Sequence, residues 1–251
     1  MPVMDEFKEE REKMKSQPLK KRLSYFWTYY KWYVLGGTLA LIVAISFIVQ
    51  IVTKKEEALF GIVVNASSYG KDREFASSFM EYAGIAPDKY EVTFHSALSL
   101  TEQMSQDAVN TRELIMVYTA SGDMDVAIMD TLAFESYAYS ELFLDLSVVL
   151  SEELFSSLEG RIYYKDNATA GEFNAALDAG ESTEDIVFPD PFKPEDMKEP
   201  IPIGIDISDC EVLEDAYYYP NKPVLLGLPA TSGRTNMAIK FIEFLFAQGD
   251  L

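Results

Sequence analysis

LFGIVVN at residues 59–65, followed by ASSYG at 66–70, opens the larger part of this chain. A short apolar, β-branched run that ends in small polar residues is typical of a buried strand followed by a turn. The stretch therefore predicts a buried strand and a turn, after which a helix should follow.

The next two elements continue this alternation. Apolar residues in 75–83 recur on one face of a helix, and Gly84 is a suitable stop. YEVTFH at 90–95 alternates polar with apolar residues, which predicts a half-buried strand.

A further helix and a third strand follow. Ser99 and Glu102 have the spacing of a capping box, which predicts that a helix begins there. VAIM at 126–129 predicts a buried strand, and Asp130 is a good N-cap for the helix after it. Three strand–helix units in succession predict a sheet of mainly parallel strands.

The remainder of the chain is less regular. Ser151 is the predicted cap of a short helix, and a polar segment with Gly and Ala then runs to about residue 183. Five prolines between 189 and 202 predict an extended crossover. Two further strands are predicted at 203–207 and 224–228. A closing amphipathic helix is predicted at 237–245, with Gly249 as its stop.

The N-terminal part contains a candidate membrane span. Residues 32–53 carry no charge, and VLGGTLALIVAISFIVQIV at 34–52 is long enough for a hydrocarbon layer about 30 Å thick. Aromatic side chains and four basic ones crowd its N-terminal side, whereas two lysines and then two glutamates follow it. The positive-inside rule places 1–31 in the cytoplasm and 54–251 outside the cell membrane.

A cleaved signal peptide is the alternative to a lasting anchor. The apolar run exceeds the usual signal-peptide core of about 7–15 residues, and no small-x-small pair lies just beyond it. These features favour an anchor in the lipid bilayer. We expect three parts: a charged lead with an aromatic interfacial segment at 1–31, a transmembrane helix at 32–53, and an α/β domain at 54–251.

The charge of the chain is uneven. Its 21 Lys+Arg against 41 Asp+Glu give −20. Residues 1–52 hold eight basic and five acidic residues, a net +3, which leaves 13 basic and 36 acidic, a net −23, in 53–251. This balance argues against a nucleic-acid partner, which needs clustered Lys and Arg. One Cys and one His exclude an internal disulfide and a zinc site of the usual Cys/His kind.

Two segments resemble extracellular solute-binding proteins. SGDMDVAIMD at 121–130, followed by LFLDL at 142–146, is similar to the part of that family where a strand ends, a helix follows and a Leu-x-Asp-Leu segment leads onward. VLLGLPATSG at 224–233 with AIKFIEFL at 238–245 looks like that family's late strand, small-residue loop and final helix. SYFWTYYKW at 24–32, ahead of one span, resembles small membrane-anchored proteins of Gram-positive bacteria.

The resemblance implies a type 2 periplasmic-binding-protein-like fold, in which two α/β lobes face a cleft that captures a small solute. The outer domain is small for that family, and only about 142–203 is available for a small second lobe. The expected fold class is α/β: a single N-terminal transmembrane helix followed by a reduced domain of this kind. The expected function is non-enzymatic capture of a small solute for a membrane protein partner. The alternative is an interaction or regulatory module whose fold has lost its ligand cleft.

The candidate site follows from a general rule. Ligands of open α/β sheets lie beyond the carboxyl ends of the strands, where helix N-termini expose backbone N–H groups. Hydroxyl and amide groups there would orient a polar solute, and a tyrosine would stack on it. The candidate ligand-binding residues are Asn65, Ser67, Ser68, Tyr69, Asp130, Thr131 and Asp206. An ordinary turn at 65–69 and a helix N-cap at Asp130 are the alternatives.

Other chemistry has little support in the sequence. Asp123 and Asp125 lack the glycine and the distal glutamate of a calcium loop. His95 has no neighbouring motif that would make a triad, and Cys210 lies between two acidic residues, which do not favour a thiolate nucleophile. We therefore expect no catalytic residue, no metal site and no cofactor.

Overall fold

The computed structural model describes residues 18–101 and 105–247, which fall into two units divided after Lys54. The first contains helix α1 (Leu19–Thr53). Its stretch Tyr30–Val49 is long and apolar enough to cross a membrane, and none of it is buried inside the structure. A signal sequence near the N-terminus passes the same test, so α1 is a candidate span.

The second unit is an α/β domain. Its strands are β1 (Glu56–Val64), β2 (Ser67–Ser68), β3 (Tyr90–Leu98), β4 (Val126–Asp130), β5 (Ile162–Asp166), β6 (Pro200–Asp206), β7 (Tyr217–Tyr218) and β8 (Val224–Gly227). Its α-helices are α2 (Asp72–Ala83), α3 (Gln106–Ser121), α4 (Thr131–Ala138), α5 (Leu146–Val149), α6 (Glu152–Ser157), α7 (Asn167–Ala179), α8 (Glu211–Ala216) and α9 (Thr235–Phe246).

Six strands form one mixed sheet in the order β3-β1-β4-β8-β6-β5. Strands β3 and β4 both pair with β1 in parallel, as the strand–helix units predict. Strand β8 runs antiparallel to β4 and β6, and β5 runs antiparallel to β6. The prediction of mainly parallel strands is therefore wrong for the second half of the sheet. The connections from β5 to β6 and from β6 to β8 each return at the edge of the sheet that they left, which makes the joined strands antiparallel.

Helix α3 begins later than its sequence predicts. Ser105 is its N-cap, with a side-chain oxygen that accepts a hydrogen bond from the N–H of Ala108 at 3.1 Å. Ser99 lies outside the helix, and its N–H donates to Oγ1 of Thr111 at 3.2 Å. The prediction of a capping box at Ser99 is therefore wrong. Its partner Glu102 lies outside the described residues, as do Gly249 and residues 1–17 of the charged lead.

Two local predictions about caps are confirmed, and part of the less regular middle segment forms a helix. Asp130 and Ser151 accept hydrogen bonds from the third N–H of α4 and of α6, at 3.0 and 3.2 Å. The polar segment expected as irregular forms α7, which ends at Gly180 with a left-handed φ of 68°. Its alanines favour a helix more strongly than its polar residues oppose one.

Helices cover both faces of the sheet. On the first face, Phe75 and Phe79 of α2 pack against Phe241 of α9, with the rings of Phe79 and Phe241 perpendicular at 5.2 Å. On the second face, Ile115 of α3 and Phe134 of α4 build a separate buried cluster. Because each strand alternates its side chains, the central strands contribute to both clusters.

Segment 142–203 adds to the same sheet. It supplies β5 and most of β6, and these strands pair with each other along their length. The N–H of Tyr164 in β5 also donates to the carbonyl of Pro191 at 2.8 Å, so the proline-rich crossover covers the outer edge of β5. In the described part of this unit, the six-stranded sheet and the small β2–β7 ladder are the two sheets present.

Candidate functional site at the carboxyl edge of the sheet

Three parallel strands end at one edge of the sheet, and their connections leave toward different faces. The chain after β1 enters α2 on the first face, whereas the chain after β3 and β4 enters α3 and α4 on the second. Where neighbouring connections leave toward opposite faces of an α/β sheet, a crevice opens between them. Ligands of such sheets bind at this switch point. An open pocket of about 640 Å³ lies there, and its lining includes Asn65, Ser67, Ser99, Asp130 and Asn221.

Asn65 ties two loops of the pocket together. Its backbone has a left-handed φ of 61°, which asparagine tolerates better than most residues. Its side-chain Oδ1 accepts from the N–H of Leu100 at 2.7 Å, and its Nδ2 donates to the carbonyl of Leu100 at 2.8 Å. The side-chain amide thus extends the hydrogen bonding between β1 and β3 beyond the ends of both strands. It occupies both the N–H and the carbonyl of Leu100, one residue after the predicted helix start at Ser99.

Asp130 is fully buried beneath the pocket and has several donors around it. Its Oδ1 accepts from the N–H of Ala133 and from Nδ2 of Asn65, at 3.0 and 2.9 Å. Its Oδ2 accepts from Nδ2 of Asn221 at 3.1 Å. A buried carboxylate at a helix N-terminus is stabilised by such hydrogen bonds and by the helix dipole. Asp130 therefore joins two loops, those of Asn65 and Asn221, in addition to capping α4.

The loop after β1 is held by a second, smaller ladder. Ser67 and Ser68 form β2, which pairs antiparallel with β7. Ser67 lines the pocket. The hydroxyl of Ser68 donates instead to Asp72 at 2.8 Å, on the first turn of α2. Tyr69 is 59% exposed and is not part of the pocket lining. Ser67 thus lines the pocket, whereas Ser68 and Tyr69 lie outside its lining.

Asp72 organises the base of that loop. Burial alone would raise the pKa of its carboxyl, but hydrogen bonds from Ser96, Ser68 and Tyr217 outweigh burial and lower the pKa below its usual value. The phenol of Tyr217 donates to Oδ1 of Asp72 at 3.0 Å. Asp72 therefore stays ionised and links α2 to the β2–β7 ladder.

The last two predicted residues lie outside the pocket lining. Thr131 donates its hydroxyl to the carbonyl of Pro223 at 2.9 Å, so it fastens α4 to the chain before β8. Asp206 ends β6 at the same edge of the sheet, but its carboxylate accepts from the N–H of Ser208 at 2.9 Å and shapes a local turn. Of the seven predicted residues, the structure brings Asn65, Ser67 and Asp130 together in the pocket.

Sequence reasoning missed the contribution of Asn221. This residue lies in the chain between β7 and β8, and it reaches Asp130 across 91 positions of sequence. Its neighbour Pro220 also lines the pocket. The sequence signal was a turn-forming Pro-Asn pair after the tyrosines at 217–219, but only the antiparallel entry of β8 brings that turn beside β4.

Two reactive side chains lie elsewhere in the domain. Burial, followed by the nearby charge of Asp209, raises the pKa of the Cys210 thiol to about 12. His95 lies on β3, with Nδ1 at 3.3 Å from the hydroxyl of Tyr118. Among the described residues, no group of three or more His, Cys, Asp or Glu side chains is placed to hold a metal ion.

Comparison with solved structures gives a distant neighbour of the chain. No family model matches the chain, and no curated protein does. The neighbour is a periplasmic binding protein. It is AttC of Agrobacterium tumefaciens C58 in an open, unliganded conformation, with 13% identity and a TM-score of 0.31 over 76% of this chain and 79% of that chain.

The pocket offers hydrogen bonds rather than reactive groups. The side chains of Asn65 and Asp130 are engaged with the protein itself, so they shape the pocket floor. The hydroxyls of Ser67 and Ser99 and the exposed amide of Asn221 lie along the wall, beside Leu98 and Leu132. A mixed polar and apolar lining of this kind can hold a small polar molecule with an apolar part.

Proposed function

We propose that this chain is a single-pass membrane protein whose α/β domain binds a small polar solute outside the cell, for use by a membrane partner. The observation that carries the proposal is the position of the pocket, at the switch point between the connections of β3, β1 and β4. Its volume of about 640 Å³ falls within the usual range for small-molecule sites, roughly 300–1,000 Å³. The proposed role is non-enzymatic.

The solute would contact the wall rather than the floor. Because Asn65 and Asp130 already satisfy each other and the backbone of Leu100, breaking their hydrogen bonds to bind a solute would be costly. Ser67 on β2 offers a hydroxyl at the rim of the pocket. We therefore assign solute recognition to Ser67 and its neighbours, and a supporting role to Asn65 and Asp130.

The anchor in this proposal is α1. Its apolar stretch Tyr30–Val49 would cross the bilayer. Trp27, Trp32 and Tyr33 are exposed side chains near one end of that stretch, where aromatic rings favour the headgroup layer. The basic residues before it support a cytoplasmic N-terminus, and the −23 charge of 53–251 supports an outer domain repelled by anionic lipid headgroups.

A thermal-shift screen of the full chain in detergent micelles tests solute binding. The screen uses sugars, amino acids, short peptides and organic acids. A ligand at about 100 times its Kd should stabilise the fold by roughly 2.7 kcal/mol, a shift of several degrees. Ser67→Ala should weaken a hit by roughly fivefold, the worth of one neutral hydrogen bond. Ser77→Ala, an exposed serine on α2 whose hydroxyl bonds within its own helix, is the matched control and should leave affinity unchanged.

A protein-interaction module is the second candidate, and one observation favours it. In the described part of the chain, segment 142–203 extends the sheet through β5 and β6 and builds no wall opposite the pocket. A solute-binding protein of the two-lobed kind closes its ligand between two walls. If no compound in the screen raises the unfolding temperature, solute binding is overturned and the interaction module is supported.

A further inference from the structure

Strand β3 forms an uncovered edge of the sheet. It is the end strand in the order β3-β1-β4-β8-β6-β5, and in the described part of the chain no strand pairs with its outer side. The opposite edge differs, because the carbonyl of Pro191 accepts the N–H of Tyr164 and the proline-rich crossover lies along β5. A nine-residue edge strand without proline is a template for pairing with another strand.

The hydrogen bonds of β1 show which backbone groups of β3 face outward. Phe60 uses both its N–H and its carbonyl toward Asp125, on the β4 side. Its neighbour Gly61 therefore points toward β3, where its register partner is Phe94. In a parallel ladder, Gly61 then bonds to the residues on either side of Phe94. The N–H and carbonyl of Phe94, and by the same alternation those of Val92, point to the open edge.

A groove runs along this edge. Its volume is about 660 Å³, and consecutive residues 91–97 of β3 form one side of it. Gly70, Asp72, Arg73 and Ala76, at the start of α2, form the other side. Because side chains from both faces of β3 line it, the groove follows the edge of the strand rather than either face. An added strand would lie along it.

We propose that the occupant is β3 of a second copy of this chain, paired antiparallel about a two-fold axis at Thr93. This register places Thr93 opposite Thr93, Val92 opposite Phe94, and Glu91 opposite His95. Aromatic with β-branched pairs are among the cross-strand pairs that stabilise antiparallel sheets, and Glu91 opposite His95 keeps the carboxylates of the two copies from facing each other. The outward groups of Val92 and Phe94 then exchange hydrogen bonds across the axis.

The neighbouring registers are poorer. A two-fold axis at Val92 pairs Glu91 with Thr93, and one at Phe94 pairs Glu91 with Ala97. Both lose the contact between Glu91 and His95 and the pairing of Val92 with Phe94. The acidity of the domain opposes association, but charges farther apart than about 8 Å are largely screened at physiological salt. The self-complementary pattern around Thr93 favours a second copy over an unrelated strand.

Disulfide trapping of the full chain in detergent micelles tests this pairing and its register. In a Cys210→Ala background, Thr93→Cys places two thiols on residues whose Cα atoms would be about 4.5 Å apart, a distance that allows a disulfide. Diamide, which takes up the two electrons and two protons of the thiols, should link this variant into a dimer. We expect it to react roughly tenfold or more faster than Ser77→Cys, an exposed control on α2.

Two further variants test the register. Glu91→Cys alone should not crosslink, because the two thiols would be about 14 Å apart along the strands, four residues at about 3.4 Å each. A mixture of Glu91→Cys and His95→Cys chains should form the mixed dimer. Adding His95→Glu to Thr93→Cys should slow trapping roughly tenfold, because two glutamates then face each other, and Glu91→Lys should restore it. Equal rates for Thr93→Cys and Ser77→Cys, or efficient linking of Glu91→Cys alone, would overturn the proposal.

Discussion

Gly61 shows how one missing side chain makes room for aromatic packing on the first face of the sheet. A Cβ at this position would lie 2.6 Å from the ring of Phe94 and 2.8 Å from Cγ2 of Val126. The ring of Phe94 packs against Phe75 and Phe241 on the first face, with centroid distances of 4.9 and 5.4 Å. The glycine therefore leaves the space in which an aromatic ring joins β3 to both covering helices.

Gly61→Ala should accordingly destabilise the domain. We expect a loss of about 1–3 kcal/mol in the free energy of unfolding, because overpacking would displace the rings of this cluster. Urea unfolding of the full chain in detergent, followed by tyrosine fluorescence, measures it. Gly171→Ala is the matched control. That glycine lies within α7 with nothing near its added Cβ, so alanine there should raise stability by about 0.5–1 kcal/mol. An unchanged stability of Gly61→Ala would contradict the packing argument.

At the scale of elements, a buried ion pair fastens the last helix to the sheet. Arg234 precedes α9, and its Nε donates to Oδ2 of Asp125 at 2.8 Å, just before β4. The carboxylate of Asp125 is fully buried and also accepts from Ser232 at 2.6 Å and from the N–H of Phe60 at 2.8 Å. One carboxylate thus holds β1, β4 and the loop before α9 in place, at the edge opposite the candidate pocket.

Arg234→Ala should cost about 3 kcal/mol or more, because it leaves a buried carboxylate without its cation. Arg161→Ala is the comparison. That arginine pairs with Asp209, with side chains 38% and 65% exposed, and solvent screening limits such a pair to about 1 kcal/mol or less. Differential scanning calorimetry of both variants measures the difference. Similar losses for the two arginines would show that burial of Asp125 does not set the strength of its pair.

At the scale of the whole molecule, the boundary between the units gives a test of topology. Lys54 and Lys55 are exposed and lie between α1 and β1. If residues 54–251 lie outside the cell, trypsin added to right-side-out vesicles should cut there. It should release a fragment that begins near residue 55 and still unfolds cooperatively, because its core lies within this unit.

The control for this digestion replaces both lysines. Lys54→Gln with Lys55→Gln should keep the domain on the vesicle under the same treatment. In inside-out vesicles the unchanged chain should resist release, because the domain would face the lumen. Release from inside-out vesicles and not from right-side-out ones would reverse the proposed orientation, and release of α1 with the domain would exclude a membrane anchor.

Local features of this chain could be predicted from the sequence because they depend on neighbouring residues. The apolar period of α2 and α9, the buried runs of β1, β4 and β8, and the N-caps at Asp130 and Ser151 each need only a few adjacent side chains. The start of α3 did not follow from its capping pattern. The side chain of Asn65, just after β1, bonds to both backbone groups of Leu100, and nothing near Ser99 in the sequence encodes that contact.

The candidate site likewise has some features that follow from the sequence and others that depend on tertiary contacts. The sequence is enough to show that polar residues follow β1 and β4, that acidic charge is concentrated in 53–251, and that one apolar segment near the N-terminus is long enough to cross a membrane. Contacts between distant parts of the chain bring Asn221 to Asp130, leave Thr131 and Asp206 outside the pocket lining, and add segment 142–203 to the sheet. Helix and turn signals act over a few residues, whereas strand order and direction depend on contacts between distant parts of the chain.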